Sequence, residues 1–123
     1  MILALTAIAG GLGGIARFLV DTAVNRHNKW SLPLGTVVVN ASACLFLGLL
    51  TGYALVHPTW DEIYAVLGVG LLGGYSTFST ASVEAIRLLH VGRWRAALVH
   101  SGGMLIVSAA TAALGLGIGN VLQ

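Results

Sequence analysis

The sequence predicts an all-α membrane protein of four spanning helices, the third of which carries a non-helical break. Three observations lead there. The 123 residues are 57% hydrophobic and only 8% charged, whereas soluble domains carry about 25% charged residues. Apolar stretches cover residues 1–20, 34–56, 63–90 and 96–122, each near the roughly 20 residues a spanning helix needs. The third stretch is interrupted by Gly73-Gly74-Tyr75-Ser76-Thr77-Phe78-Ser79-Thr80. Adjacent glycines there lower helix propensity, and hydroxyl side chains follow them. The whole chain, 1–123, reads as a single four-helix membrane domain with no linker, charge run or soluble appendage. A formal net charge of +2 is too small to suggest a nucleic-acid partner.

Span one, residues 1–20, resembles a signal peptide in length. It lacks a basic leading segment, and its first cation, Arg17, sits at the far end, so it reads as a retained span. Gly10 and Gly14 stand at G-x-x-x-G spacing, which lets another backbone approach closely. Arg17 is costly within a span. It serves either a structural, snorkelling role or a role at a pore mouth. The first loop, Asp21 to Pro33, carries Arg26, His27 and Lys29, with Trp30 suited to the membrane interface.

Pro33 opens span two, residues 34–56. Asn40 is its strongest polar group, with two amide donors and an acceptor. Two roles stand open for it: an interhelical hydrogen bond, or a donor to a passing anion. Gly48 and Gly52 form a second close-packing pair. Cys44, the single cysteine, lies in the apolar run and reads as a small packing residue.

The second loop, His57 to Glu62, holds two acids and no lysine or arginine. Thr59 ahead of Asp61 and Glu62 is a reasonable helix start for span three. The break at 73–80 cannot face lipid, because exposed backbone groups are tolerated at membrane depth only inside protein or along a water-filled cavity. Broken helices at mid-depth recur at ion sites. The alternative is a Gly/Ser/Thr-rich helix packed closely on a neighbour. Beyond the break, Glu84 and Arg87 stand three apart and read as a surface pair near the membrane edge. The third loop, Val91 to Arg95, holds Arg93 and Arg95. Span four, residues 96–122, carries His100, Ser101, Ser108 and Thr111, then Gly115 and Gly119 as another close pair. His100 has no acid that sequence position alone would pair with it. No hydrolase or metalloenzyme motif is present, so the chain does not read as an enzyme.

Loops one and three hold Arg26, Lys29, Arg93 and Arg95, while the termini and loop two hold no lysine or arginine. The positive-inside rule then puts loops one and three in the cytoplasm and both termini outside, in the cell membrane.

Three motifs together resemble the small Fluc/CrcB fluoride channels: Gly10-Gly11-Leu12-Gly13-Gly14-Ile15-Ala16-Arg17-Phe18, Gly35-Thr36-Val37-Val38-Val39-Asn40, and the Gly73 to Thr80 break. The resemblance runs over the whole chain. It implies a fluoride-selective channel that exports fluoride from the cytoplasm as an antiparallel dimer with two pores. It also implies a structural sodium ion at the dimer interface, held by backbone carbonyls that correspond to Gly73 and Ser76. Pore or fluoride-binding groups would be Asn40, Phe78, Ser79, Thr80 and Ser108, with Arg17 and Glu84 at structural or pore-mouth positions. A phenyl edge is positive and suits weak, multi-site anion binding.

The chain departs from the family pattern at Ala81, where a second phenylalanine is usual. It departs again at His100 and Met104, where a tyrosine and a serine usually stand. The biased loop charges suit a fixed-orientation subunit of a heterodimer of paralogues; a homodimer is the other form. Two other functions compete with the channel subunit. One is a non-conducting structural partner. The other is a small multidrug-type transporter, which needs a membrane-embedded acid that span one lacks before Asp21.

Overall fold

A computed structural model describes residues 1–122. Four helical spans are long and apolar enough to cross a membrane: α1 (Ile2–His27), α2 (Leu34–Val56), a composite third span, and α6 (Trp94–Val121). The third span begins after a 3₁₀ turn at Pro58–Trp60. It runs through α3 (Asp61–Tyr64), a π-helical segment (Ala65–Leu72) and α4 (Gly73–Tyr75), then resumes as α5 (Ser79–His90).

The local chemistry accounts for most boundaries. α1 continues seven residues past the apolar run, through a polar stretch that hydropathy assigns to loop. Asn25 Nδ2 donates to Asp21 Oδ1 at 3.0 Å along that turn, and Arg26 and His27 suit the negative end of the helix dipole. Asn25 Oδ1 also accepts the Gly35 N–H at 3.1 Å, satisfying a donor at the start of α2 that would otherwise lack a partner. Thr59 makes no capping hydrogen bond at span three; it lies inside the 3₁₀ turn, and Asp61 and Glu62 occupy the first turn of α3. The turn between α5 and α6 is a Schellman motif. Gly92 takes φ +76°, its N–H bonds Leu89 O at 2.9 Å, and the Arg93 N–H bonds Leu88 O at 2.8 Å. Arg93 then ties loop three to loop one, donating to Ser31 O at 2.9 Å and Ser31 Oγ at 2.8 Å.

Two close helix pairs form the bundle. α2 and α6 run side by side in the same direction. The glycine pairs at 48/52 and 115/119 face each other across that seam. A Cβ at Gly48 would overlap the Ala112 carbonyl, and one at Gly115 would overlap the Leu45 carbonyl. At Gly52 and Gly119 the obstacles are the backbones around Leu116 and Leu49. Backbone contact this close is what small residues permit between membrane helices. α1 packs in the same manner against the first half of span three, but its register differs from the expected Gly10/Gly14 pair. Gly13 meets Leu71 and Tyr75, Gly10 meets Gly74, and Gly70 meets Thr6, whereas Gly14 has nothing near its missing Cβ. Residues three apart also share a helix face, and the sequence alone does not choose between 10/13 and 10/14.

Candidate functional site

The break is narrower than the eight-residue motif. Helix persists through Tyr75 and resumes at Ser79, leaving Ser76, Thr77 and Phe78 outside regular helix. Ser76 closes the first half, its N–H bonding Leu72 O at 2.9 Å, and then turns extended at ψ 159°. In an unbroken helix the Thr77 N–H would bond the Gly73 carbonyl. Here it donates to Asn40 Oδ1 at 2.8 Å, and Asn40 Nδ2 donates back to Thr77 O at 2.7 Å. One side-chain amide thus satisfies both backbone groups of a buried residue, as burial in an apolar bundle requires. The Thr77 N–H needs an acceptor, which settles which end of the Asn40 amide faces it. The second Asn40 N–H points to Met104 Sδ at 3.3 Å, a weak acceptor.

Thr77 starts α5. Its Oγ1 accepts the Thr80 N–H at 3.2 Å and donates to Thr80 Oγ1 at 3.1 Å. The positive end of the α5 dipole therefore lies at the break. Arg17 approaches from α1, Nη1 donating to Ser76 O at 3.4 Å. Tyr75 is held from α2 through Ser42, hydroxyl to hydroxyl at 3.0 Å.

Two cavities meet at Thr77. A groove of about 630 Å³ is lined by Asn40, Phe78, Ala81, Met104 and Ser108, among others. A smaller vestibule of about 220 Å³ is lined by Arg17, Asp21, Thr36, Thr77 and Thr80. The structure therefore distributes the sequence-derived candidates. Asn40, Phe78 and Ser108 border the groove; Arg17 and Thr80 border the vestibule; Ser79 lines neither and stands exposed beside Thr77. Phe78 is 86% exposed, projecting away from its own bundle. Ser108 Oγ is buried with no hydrogen-bond partner. Ala81 is buried at 4% exposure, so its small side chain is covered by neighbours and does not leave an open socket.

Glu84 overturns the surface-pair expectation. Its carboxylate points inward and Arg87 outward. Oε2 accepts from Thr36 Oγ1 at 2.5 Å and stands 3.2 Å from His100 Nε2. His100 is 2% exposed, and its ring nitrogens meet no aligned hydrogen-bond partner. The contact with Glu84 is thus one of charge and proximity. The signal was present in the sequence: Glu84 and His100 each lie eight positions from Gly92, the turn of an antiparallel helical hairpin.

Among the described residues no cluster of His, Cys, Asp or Glu could ligate a metal. A cation held by backbone carbonyls is a different matter. The Gly73 carbonyl is relieved of the Thr77 N–H, and beyond its own turn the nearest atom to a Cβ built at Gly73 is Gly68 O at 3.9 Å. The Ser76 carbonyl would share its oxygen with Arg17.

The profile of a family described as "CrcB-like protein, Camphor Resistance (CrcB)" matches residues 4–116. A protein of Leifsonia xyli subsp. xyli named "Fluoride-specific ion channel FluC 1" is 45% identical over 115 residues, which is 94% of this chain and 84% of that protein. A Cutibacterium acnes protein named "Fluoride-specific ion channel FluC 2" is 43% identical over 114 residues, 92% of this chain and 93% of that one. A Nitratidesulfovibrio vulgaris protein named "Fluoride-specific ion channel FluC" is 36% identical over 122 residues, 96% of each.

Proposed function

The chain belongs to the CrcB family, and on that premise we propose that it is a subunit of a fluoride-selective channel, not an enzyme, through which fluoride leaves the cytoplasm. The observation that carries this reading is the break itself: hydroxyl, amide and guanidinium groups gathered on a non-helical turn inside an apolar bundle, with a cavity on either side. Fluoride is small and strongly hydrated, so a path must offer donors in place of water. The Arg17 guanidinium and the Thr80 and Ser108 hydroxyls supply them. Asn40 has its stronger bonds engaged with Thr77. The N–H on Met104 is the one an anion can take, because a thioether is a poor acceptor.

The groove carrying Phe78 and Ser108 is open on one side of the protomer, and Phe78 projects outward. This supports an antiparallel dimer in which a second subunit closes the groove, either a copy of this chain or an oppositely oriented paralogue. Gly73 and Ser76 of both subunits would then face one another. A sodium ion held by their carbonyls would supply positive charge at the dimer centre. The loop charges support loops one and three in the cytoplasm and both termini outside.

Passive fluoride efflux from liposomes tests the function. The chain is reconstituted alone, then with an oppositely oriented paralogue from the same genome. Rapid efflux that excludes chloride is expected from one of the two. Efflux no faster than from protein-free liposomes in both would leave the non-conducting partner role. Asn28→Cys and Thr59→Cys, in a Cys44→Ser background, test the sidedness in whole cells. Labelling from outside at position 59 alone is expected; equal labelling at both would mean dual orientation and favour the homodimer.

A further inference from the structure

We propose that Glu84 and His100 form a proton-operated electrostatic switch, in which protonation of His100 raises fluoride occupancy at the break. The proposal rests on the channel reading and adds regulation to it.

Glu84 reaches a site where a lone carboxylate is expensive. Around it, α2 contributes the Thr36 hydroxyl and α6 contributes His100. Charged groups also come from α1: Arg17 and Asp21 share the vestibule with Thr36. Arg87 and His90 on α5 and Arg95 on α6 are exposed. Tyr53 and Cys44 on α2 lie further along that helix. The pair therefore adds to the charges that Arg17 and Asp21 place at the vestibule. One proton more or less changes its net charge by one. Histidine is the side chain suited to make that change between about pH 5 and 8.

Two contacts carry the charge to the pathway. Thr36, whose hydroxyl holds Glu84, also lines the vestibule with Arg17 and Thr80. His100 stands one helical turn before Met104, which touches the Asn40 amide that clamps Thr77. With the imidazole neutral and Glu84 ionised, the pair adds a negative charge beside the path and opposes an anion. With the imidazole charged, the pair is neutral overall and the opposition ends. His100 itself is buried and makes no competing hydrogen bond. By linkage, if a proton favours fluoride then fluoride favours the proton by the same factor.

The test uses the conducting assembly in liposomes, with equal pH on both sides and the leak of protein-free liposomes subtracted at each pH. Wild-type fluoride efflux should rise about 5-fold or more from pH 8 to pH 5.5, the lower range of measured site–site couplings. His100→Gln should be flat and slow over that range, and Glu84→Gln should already be fast at pH 8. Should a variant fail to assemble, ¹⁵N-histidine spectra of the wild-type protein read the same linkage: added sodium fluoride should move one histidine's titration to higher pH, and sodium chloride should not. Efflux flat in pH in the wild type, an equal pH dependence in His100→Gln, or histidine spectra indifferent to fluoride would overturn the switch and leave the channel reading intact. No fluoride efflux at any pH would overturn the channel reading itself.

Discussion

The α2/α6 seam and the α1/span-three seam are built from the same material and serve different ends. In both, glycines bring one backbone against the carbonyls of another. Between α2 and α6 both partners are regular helices, every backbone group inside them is paired along its own chain, and the pairs at 48/52 and 115/119 face each other. Against α1 the partner is π-helical from Ala65 to Leu72, then briefly α-helical, then broken at Ser76. π-helical turns are frequent at functional sites. Close packing there presses a distorted segment into place without satisfying it. Side chains from elsewhere complete the hydrogen bonding: Asn40 from α2 and Arg17 from α1. The regular seam is a frame, and the irregular one is a site held against that frame.

The largest effect expected from testing this contrast is at Asn40. Asn40→Asp removes the donor to Thr77 O and places a carboxylate against the break. A buried carbonyl left unpaired costs about 1–3 kcal/mol, and an anion in the path adds repulsion. Fluoride efflux should become undetectable while the purified variant still elutes at the wild-type position on size exclusion. Wild-type efflux, with the carboxylate shown ionised, would remove Asn40 from the pathway.

Gly115→Val strikes the frame. Its side chain meets the Leu45 carbonyl and Leu49 N, backbone atoms that cannot swing aside. Overpacking of this kind costs about 1–3 kcal/mol, and thermal unfolding in detergent should fall by several degrees along with efflux. A variant as stable as wild type would show that the seam has slack.

The pair Gly13→Ala and Gly14→Ala separates the two glycine registers. The first substitution drives a methyl into the Leu71 carbonyl, and the second meets open space. Gly13→Ala should destabilise by about 1–3 kcal/mol. Gly14→Ala should be neutral or stabilise by up to about 1 kcal/mol, the helix-propensity gain. Both are read by thermal melting.

The smallest effect is expected at Ala81→Phe, which restores an aromatic edge worth about 0.5–1.5 kcal/mol, up to roughly tenfold in occupancy. Ala81 is covered by neighbours yet borders the groove, so the ring must turn into the groove to fit. A gain in fluoride selectivity over chloride would mean that it does. A loss of efflux would mean that the ring obstructs the path and that the neighbours of Ala81 already do the work of the missing phenyl.

What the sequence determined by itself is whatever depends on one stretch of chain. Hydropathy sets the four spans, since lipid admits little else than apolar helices of sufficient length. Gly92 sets the α5/α6 turn, because it takes a positive φ that side chains resist. The run from Gly73 to Thr80 marks where span three fails. Tertiary structure alone decided what depends on rotation of one helix about its axis relative to another. Gly13 rather than Gly14 faces span three. Asn40 spends its amide on Thr77. Glu84 turns from Arg87 to His100. Positions three and four apart share a helix face, so the sequence leaves such choices nearly equal. Backbone packing settles the first, and the polar group standing nearest on a neighbouring helix settles the other two.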